Sequence, residues 1–406
     1  MKYFVLLSLL FQVQVYSADS CNDLTGEKLL NLIKTNHPKL SEMKISQEAS
    51  KREIEIAKIA PNPTVGFEGG VKNEEADLGF KIGAKYLHEF ELGSKRKSRV
   101  NFYKSKNELL KTNYNITEVE VLATSIKNLF SLKQIYILMP IYEESVLTFK
   151  KILRKYPRYN SLTPELKVER ETLALILGDY QLKLASLTAQ EKYIKAHLEI
   201  YSGEGCIDFK KVIPSSLRLP SLSDFKVLNQ KSLKVRLAQN KYDSVMAERS
   251  LRQAEVMGDL KVGPVLEYET IAGVDEVYLG VELELGIFGS RKNREISKKF
   301  DNNLAFSKQQ LSNIKRESEV DLKLWESSYQ SAKESLEKIV SIETVEKKHK
   351  RIERLFARGV VSTGLVIEAH EQLVEYYLSK FSFENQALDA LLNLHIQYGS
   401  INSFRF

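Results

Sequence analysis

The sequence predicts a mainly α-helical chain that carries four β-strands and is built from two copies of one helix–hairpin–helix plan. Three observations carry this expectation. Two stretches alternate apolar and polar residues with a period of two. Two very long charged stretches place apolar residues at three- and four-residue steps. The same order of short motifs frames both sets.

The first copy opens at Asn36-His37-Pro38-Lys39-Leu40 and the second at Asn229-Gln230-Lys231-Ser232-Leu233. Each opening starts a helical stretch, ending near residue 60 in one half and near 257 in the other. Strand pairs follow, at about 64–71 and 78–92 in the first half and 260–271 and 276–286 in the second. Leu78, Phe80, Ile82, Ala84, Tyr86, His88, Phe90 and Leu92 fall on one face of their strand, opposite Lys81, Lys85, Glu89 and Glu91. Val277, Leu279, Val281, Leu283 and Leu285 likewise oppose Tyr278, Gly280, Glu282 and Glu284. Turn-forming residues join each pair, at 73–77 and 272–275, so both read as hairpins. Glu91-Leu92-Gly93-Ser94-Lys95-Arg96 and Ile287-Phe288-Gly289-Ser290-Arg291-Lys292 then close them with matching signatures.

Long helices are expected next, over 94–156 and 290–357, each about 100 Å if continuous. Leu311, Ile314, Ser318, Leu322, Trp325, Tyr329, Ala332, Leu336 and Ile339 form a coiled-coil seam with one polar gap. Pro140 implies a kink or break in the first long helix. The shorter helices, 163–201 with 38–60 and 365–398 with 231–257, sum to nearly the length of the long ones. That equality predicts short helices stacked end to end beside each long partner.

Composition bounds the rest. Residues 1–18 have a short positive start, an apolar run of about 12 residues and small residues before a cleavage point, the layout of a secretory signal peptide. The run is shorter than the roughly 20 residues of a spanning helix. The expected organisation is a signal at 1–18, a first repeat at 19–203, a connection at 204–228 and a second repeat at 229–406. A net charge of +7 from 60 basic and 53 acidic residues, with no basic block, excludes a nucleic-acid partner. No phosphate loop, nucleophile elbow or acid–base constellation points to an enzyme, and no cofactor is expected. The six histidines show no metal-ligand spacing; His370 and Glu368 share a helix without a third ligand near them in sequence, so no metal site is expected. Two cysteines, Cys21 and Cys206, in an exported chain are compatible with one disulfide or with two thiols.

Four strands cannot enclose a pore, since bacterial barrels start at about eight. Two isolated hairpins with one apolar face each are not stable in water. Several chains donating four strands apiece to one closed barrel satisfy both constraints, and three chains give twelve. Glu68, Lys81, Lys85, Glu89, Glu91, Glu267, Glu269, Glu282 and Glu284 would then face the lumen, as a ring more acidic than basic that either favours cations or simply keeps the pore wet.

The motif order resembles the TolC-like outer-membrane efflux protein family, and within it the heavy-metal branch termed CzcC-like. The resemblance rests on Asn36-His37-Pro38-Lys39-Leu40, Pro61-Asn62-Pro63, Glu91-Leu92-Gly93-Ser94-Lys95-Arg96, and the run from Arg354-Leu355-Phe356-Ala357-Arg358-Gly359 through Val360-Val361-Ser362-Thr363-Gly364-Leu365 to Ala369. It implies a homotrimer with a 12-stranded barrel in the outer membrane and a long helical tunnel in the periplasm of a Gram-negative envelope. It also implies docking to a periplasmic adaptor and an inner-membrane transporter, so that the chain is a passive exit duct for metal cations or small molecules. Adaptor contact would fall on the two helix turns, at Arg158, Tyr159, Ser161, Leu162 and Thr163 and at Arg358, Gly359, Val360, Ser362 and Thr363. The first turn departs from the second in lacking a glycine. The family layout puts Cys21 and Cys206 together in a belt around the tunnel's middle, which favours a bond between them. The competing readings are a structural periplasmic coiled-coil protein and the exit duct of a type I protein-secretion system.

Overall fold

The computed structural model describes residues 24–74, 77–157, 161–222, 232–271, 274–286, 291–398, 401 and 404. The expected signal segment, Cys21, Arg158, Tyr159 and the Gly289-Ser290 pair lie outside them. In chain order the elements are α1 (Gly26–Asn36), α2 (Pro38–Lys58), β1 (Thr64–Glu74), β2 (Asp77–Phe90), α3 (Lys95–Lys155), α4 (Pro164–Ser202), α5 (Phe209–Val212), α6 (Leu233–Glu255), β3 (Leu260–Ile271), β4 (Val274–Leu285), α7 (Arg291–Lys338), α8 (Ile342–Ala357) and α9 (Thr363–Gln397).

Local chemistry accounts for the boundaries. Thr25, Thr163 and Ser362 each cap a helix by accepting from a backbone N–H three residues on. Pro38 and Pro164 sit in first turns, where a missing N–H costs nothing. Between β2 and α3, Gly93 and Ser94 both adopt left-handed backbone, at φ 70° and 62°, and reverse the chain from sheet into helix. A Cβ at Gly93 would lie 2.6 Å from Met257 Sδ, so this step of the repeated signature needs glycine twice over.

The expected stacking of short helices is present. The C-terminus of α4 meets the N-terminus of α2, where Asn36 Nδ2 donates to the Ser202 carbonyl and the His37 ring stacks on Tyr201 at 4.3 Å. Both α2 and α4 pack on α3. In the second half α9 and α6 pack along α7, and Ser318, the polar gap of the seam, bonds Gln397 Oε1 at 3.1 Å. The seam itself is buried deepest at Tyr329 and Ala332, and the Tyr329 hydroxyl is satisfied by the Pro220 carbonyl. The two halves share one core. Val119, Leu122 and Ile126 of α3 pack with Leu233, Tyr329, Leu388 and Leu391 of α6, α7 and α9.

Two helix expectations need correction. The first long helix runs unbroken through Pro140 for 61 residues. Pro140 removes one backbone bond, but Leu138 and Tyr142 beside it are buried in the same cluster as Phe149 and Val374, so tertiary packing outweighs the local penalty. The second long helix, by contrast, is two helices separated at Ile339-Val340-Ser341. Ser341 starts α8 with its hydroxyl 2.8 Å from that of Thr344, and the freed Val340 carbonyl accepts from the Tyr376 hydroxyl at 2.6 Å. A β-branched pair followed by a serine at the N-cap position offers the chain a competing solution to continuous helix.

The four strands form one antiparallel sheet in the order β1-β2-β3-β4. Within β2–β3, Gly263 passes so close to the Tyr86 carbonyl that no side chain fits between them. β1 and β4 each keep one edge without a ladder partner among the described residues. No helix of the described residues is long and apolar enough to cross a membrane.

Candidate functional site

Register divides the sheet into two unlike faces. The pairings Gly66↔Lys85, Gly83↔Glu267 and Gly263↔Glu282 put one set of residues on a common side across all four strands. That side carries Glu68, Lys81, Lys85, Glu89, Lys261, Glu267, Glu269, Glu276, Glu282 and Glu284. The opposite side carries Val65, Phe67, Val71, Phe80, Ile82, Tyr86, Leu266, Val277, Leu279, Val281 and Leu283, all exposed; Phe67 and Leu279 are each 80% exposed. An apolar surface this continuous marks a contact with protein or lipid.

On the polar side the charges pair across strands. Lys81 Nζ lies 2.7 Å from Glu267, and Lys85 Nζ lies 2.9 Å from Glu68 and 3.2 Å from Glu282. Lys261 is 3.5 Å from Glu284. Glycines make room for these long side chains: a Cβ at Gly66 would be 3.0 Å from Lys85 Cγ. Eight of the nine expected lumen residues therefore share one face, but three of the acids, Glu68, Glu267 and Glu282, are engaged by just two lysines.

Glu91 is the exception and corrects the expectation. β2 ends at Phe90, and the Glu91 side chain turns back into the junction, where it is 4% exposed. It accepts from Arg99 Nη1 at 2.5 Å and from Arg96 Nε at 3.0 Å, while Arg99 also donates to the carbonyls of Ala57 and Ile59. Burial opposes its charge, yet the two arginines outweigh burial and hold its pKa below the usual glutamate value. The residue ties the end of α2 to the start of α3.

At the far end of the helical body the two turns lie side by side. The Lys155 ammonium sits 5.7 Å from the Phe356 ring centre. In the second turn Gly359 is left-handed at φ 73°, Val360 is exposed, and Ser362 caps α9. In the first turn Ser161 is exposed and Thr163 caps α4, but Leu162 is only 7% exposed. Leu162 was expected among the contact residues; the structure turns it inward, where an apolar side chain between two helix ends gains more from burial than from solvent.

Cys206 is in a disulfide; the other cysteine of the sequence, Cys21, lies outside the described residues. The structure also assembles a group that sequence spacing hid. His370 does have partners, not Glu368, which is exposed, but His349 and Glu353 from α8. They precede it across a helix turn, and only the antiparallel contact of α8 with α9 brings them together. The absence of ligand spacing in the sequence therefore does not extend to three dimensions.

No known protein family matches the sequence, and no curated protein matches it. The fold is nevertheless the TolC-like channel fold, shared with solved outer-membrane channels across nearly the whole chain. The Campylobacter jejuni CmeC outer membrane channel superimposes with a TM-score of 0.72, covering 92% of this chain and 85% of that one at 12% identity. The open state of the Neisseria gonorrhoeae MtrE outer membrane channel gives 0.70, over 93% and 89%, at 10% identity. The outer membrane protein VceC from Vibrio cholerae gives 0.66, over 92% and 96%, at 11% identity. At such identities the likeness is one of fold.

Proposed function

We propose that this chain is the outer-membrane duct of a tripartite export system, a member of the TolC-like efflux family that catalyses no reaction. The observation that carries the proposal is the sheet: one predominantly apolar face, one charged face, and two edges without a ladder partner among the described residues. Unpaired edges in lipid leave backbone groups unsatisfied at several kcal/mol each, and closure by identical neighbours removes every edge. Three chains give a 12-stranded barrel whose apolar side meets lipid and whose charged side lines water. The helical body then extends into the periplasm as a tunnel wall, with α3 about 90 Å long.

The adjacent turns at the far end are the proposed contact with a periplasmic adaptor and, through it, an inner-membrane transporter. Arg358, Gly359, Val360 and Ser161 supply the exposed surface, Thr163, Ser362 and Thr363 shape it, and Arg158 and Tyr159 complete the assignment. We assign the Cys206 disulfide to Cys21, which fastens the start of the first repeat to the connection between repeats. The repeats at 19–203 and 229–406 are the duplicated units. The preference for metal cations rests on the sequence resemblance to the heavy-metal branch.

The decisive measurement is an electrophoretic comparison of boiled and unboiled protein extracted from isolated outer membranes. A detergent-stable species near three times the chain mass is expected. A soluble periplasmic monomer or dimer would replace the duct by a structural coiled-coil protein.

The lumen charges make a second prediction. With Lys81 and Lys85 replaced by glutamine, Glu68, Glu267 and Glu282 lose their counter-charges in all three chains. Single-channel recordings in a salt gradient are expected to show a reversal potential shifted toward greater cation selectivity. An unchanged reversal potential would mean that the pairs sit outside the conduction path.

A further inference from the structure

Close to the two turns, three helices meet around a buried polar cluster that a passive duct does not require. α8 supplies His349 and Glu353, one helical turn apart, α9 supplies His370 and α3 supplies Ser145. His370 is 0% exposed and His349 5%. The Ser145 hydroxyl has one proton and gives it to the Ile141 carbonyl, 2.7 Å away. With its proton so placed it accepts from His370 Nδ1, at 2.8 Å. In that arrangement the ring carries its proton on Nδ1 and a lone pair on Nε2.

The lone pair faces another lone pair. His370 Nε2 lies 3.6 Å from Glu353 Oε1 and has no hydrogen-bond partner among the described residues. His349 Nε2 lies 3.8 Å from the same oxygen, and neither of its ring nitrogens has such a partner. The rings of His349 and His370 meet edge to face at 4.4 Å, and Phe149 closes the other side of His370 at 5.2 Å. Buried imidazole nitrogens left without hydrogen-bond partners around one carboxylate oxygen are costly, and a cation held between the three groups would satisfy them.

We propose that His349, Glu353 and His370 bind one divalent transition-metal cation of the Zn²⁺ class and thereby pin α8 to α9. Two imidazoles and a carboxylate are the donors such ions take, whereas Ca²⁺ and Mg²⁺ require six or more oxygens. The three ligand atoms lie within 4.8 Å of one another. The histidine–glutamate separations are slightly wider than the ~3.3 Å edge implied by tetrahedral bonds of about 2.0–2.1 Å, a gap that small side-chain rotations close. The bond from His370 Nδ1 to Ser145 is the outer-shell contact that orients a metal-binding imidazole. Glu353 is the most exposed of the three and leaves the fourth position open to water. The site is internal to one chain and would exist whether or not the sheet enters a membrane.

His349 is nine residues before Arg358, about 14 Å along α8. A bound ion would therefore fix the helix that leads into the exposed turn, starting from the break at Ile339-Val340-Ser341.

The test uses the full chain in detergent, stripped of metal by a chelator and titrated with Co²⁺ while its visible spectrum is recorded. One Co²⁺ per chain is expected, with the intense bands of a four-coordinate site and stoichiometric displacement by Zn²⁺. His370→Gln and Glu353→Gln should each weaken binding by more than about 100-fold, beyond the 10–100-fold expected for Ser145→Ala, which keeps the three ligands. His197→Gln, at a histidine outside the cluster, should change nothing. Far-ultraviolet circular dichroism confirms that each variant is folded, and the nearly isosteric Glu353→Gln carries the test should His370→Gln misfold. Absence of one-to-one binding in the native chain, or binding unaltered in folded Glu353→Gln, overturns the proposal and leaves the cluster as packing alone.

Discussion

Leu279→Arg is expected to eliminate the heat-modifiable high-mass species from outer membranes, whereas Tyr278→Arg, one residue away, should leave most of it. Leu279 lies near the middle of β4, 80% exposed on the apolar face. Arginine on the lipid face near a bilayer midplane costs about 2–4 kcal/mol, and the proposed trimer would incur that cost three times. Tyr278 pairs with Glu267 across β3 on the charged face and bonds Glu276 beside it. An added guanidinium there meets water and carboxylates. Because strand side chains alternate with a period of two, these neighbours test opposite faces of the same sheet. Equal assembly of both variants would mean that the sheet does not enter lipid. Loss with Tyr278→Arg and not with Leu279→Arg would invert the assignment of faces.

The parts of this fold written in local pattern were legible from the sequence. Period-two alternation located β2 and β4 and sorted their faces, because successive side chains of a strand point to opposite sides of the sheet. Matched segment lengths predicted the stacking of α4 on α2, which Asn36, His37 and Tyr201 now explain. What the sequence concealed depends on register and on neighbours. The seam pattern runs on through Ile339, so the break at Ile339-Val340-Ser341 is invisible until Tyr376 is seen bonding the freed carbonyl. Glu91 has the parity of a lumen residue, but the chain has already left the sheet. The pairing of Lys85 with Glu68 and Glu282 spans three strands from both halves of the chain. The His349–Glu353–His370 cluster requires two helices to lie antiparallel, and each helix taken alone offers an incomplete ligand set.

Glu91→Gln is expected to lower stability by about 3 kcal/mol at neutral pH, with little effect at strongly acid pH. The figure is the lower end of what breaking a buried ion pair costs, because Arg96 and Arg99 keep contact with water. Removing the carboxylate charge weakens the anchor of Arg99, whose bonds to the Ala57 and Ile59 carbonyls hold the elbow between α2 and β1. The sign of the pH effect follows from the depressed pKa of Glu91 in the folded chain. Its contribution is fully present above the unfolded value of about 4.3 and is lost as pH falls through the lower folded value. Thermal loss of helical circular dichroism in detergent, followed for native protein and variant from neutral to acid pH, should therefore show a gap that narrows on acidification. A gap of constant size would assign the effect to packing and not to charge. Arg99→Lys adds a geometric control. Lysine keeps the positive charge but cannot bridge both Glu91 and the two carbonyls with a planar fork, so it should recover only part of the stability. Full recovery would show that charge alone, without the forked geometry, secures the junction between the sheet and the helical body.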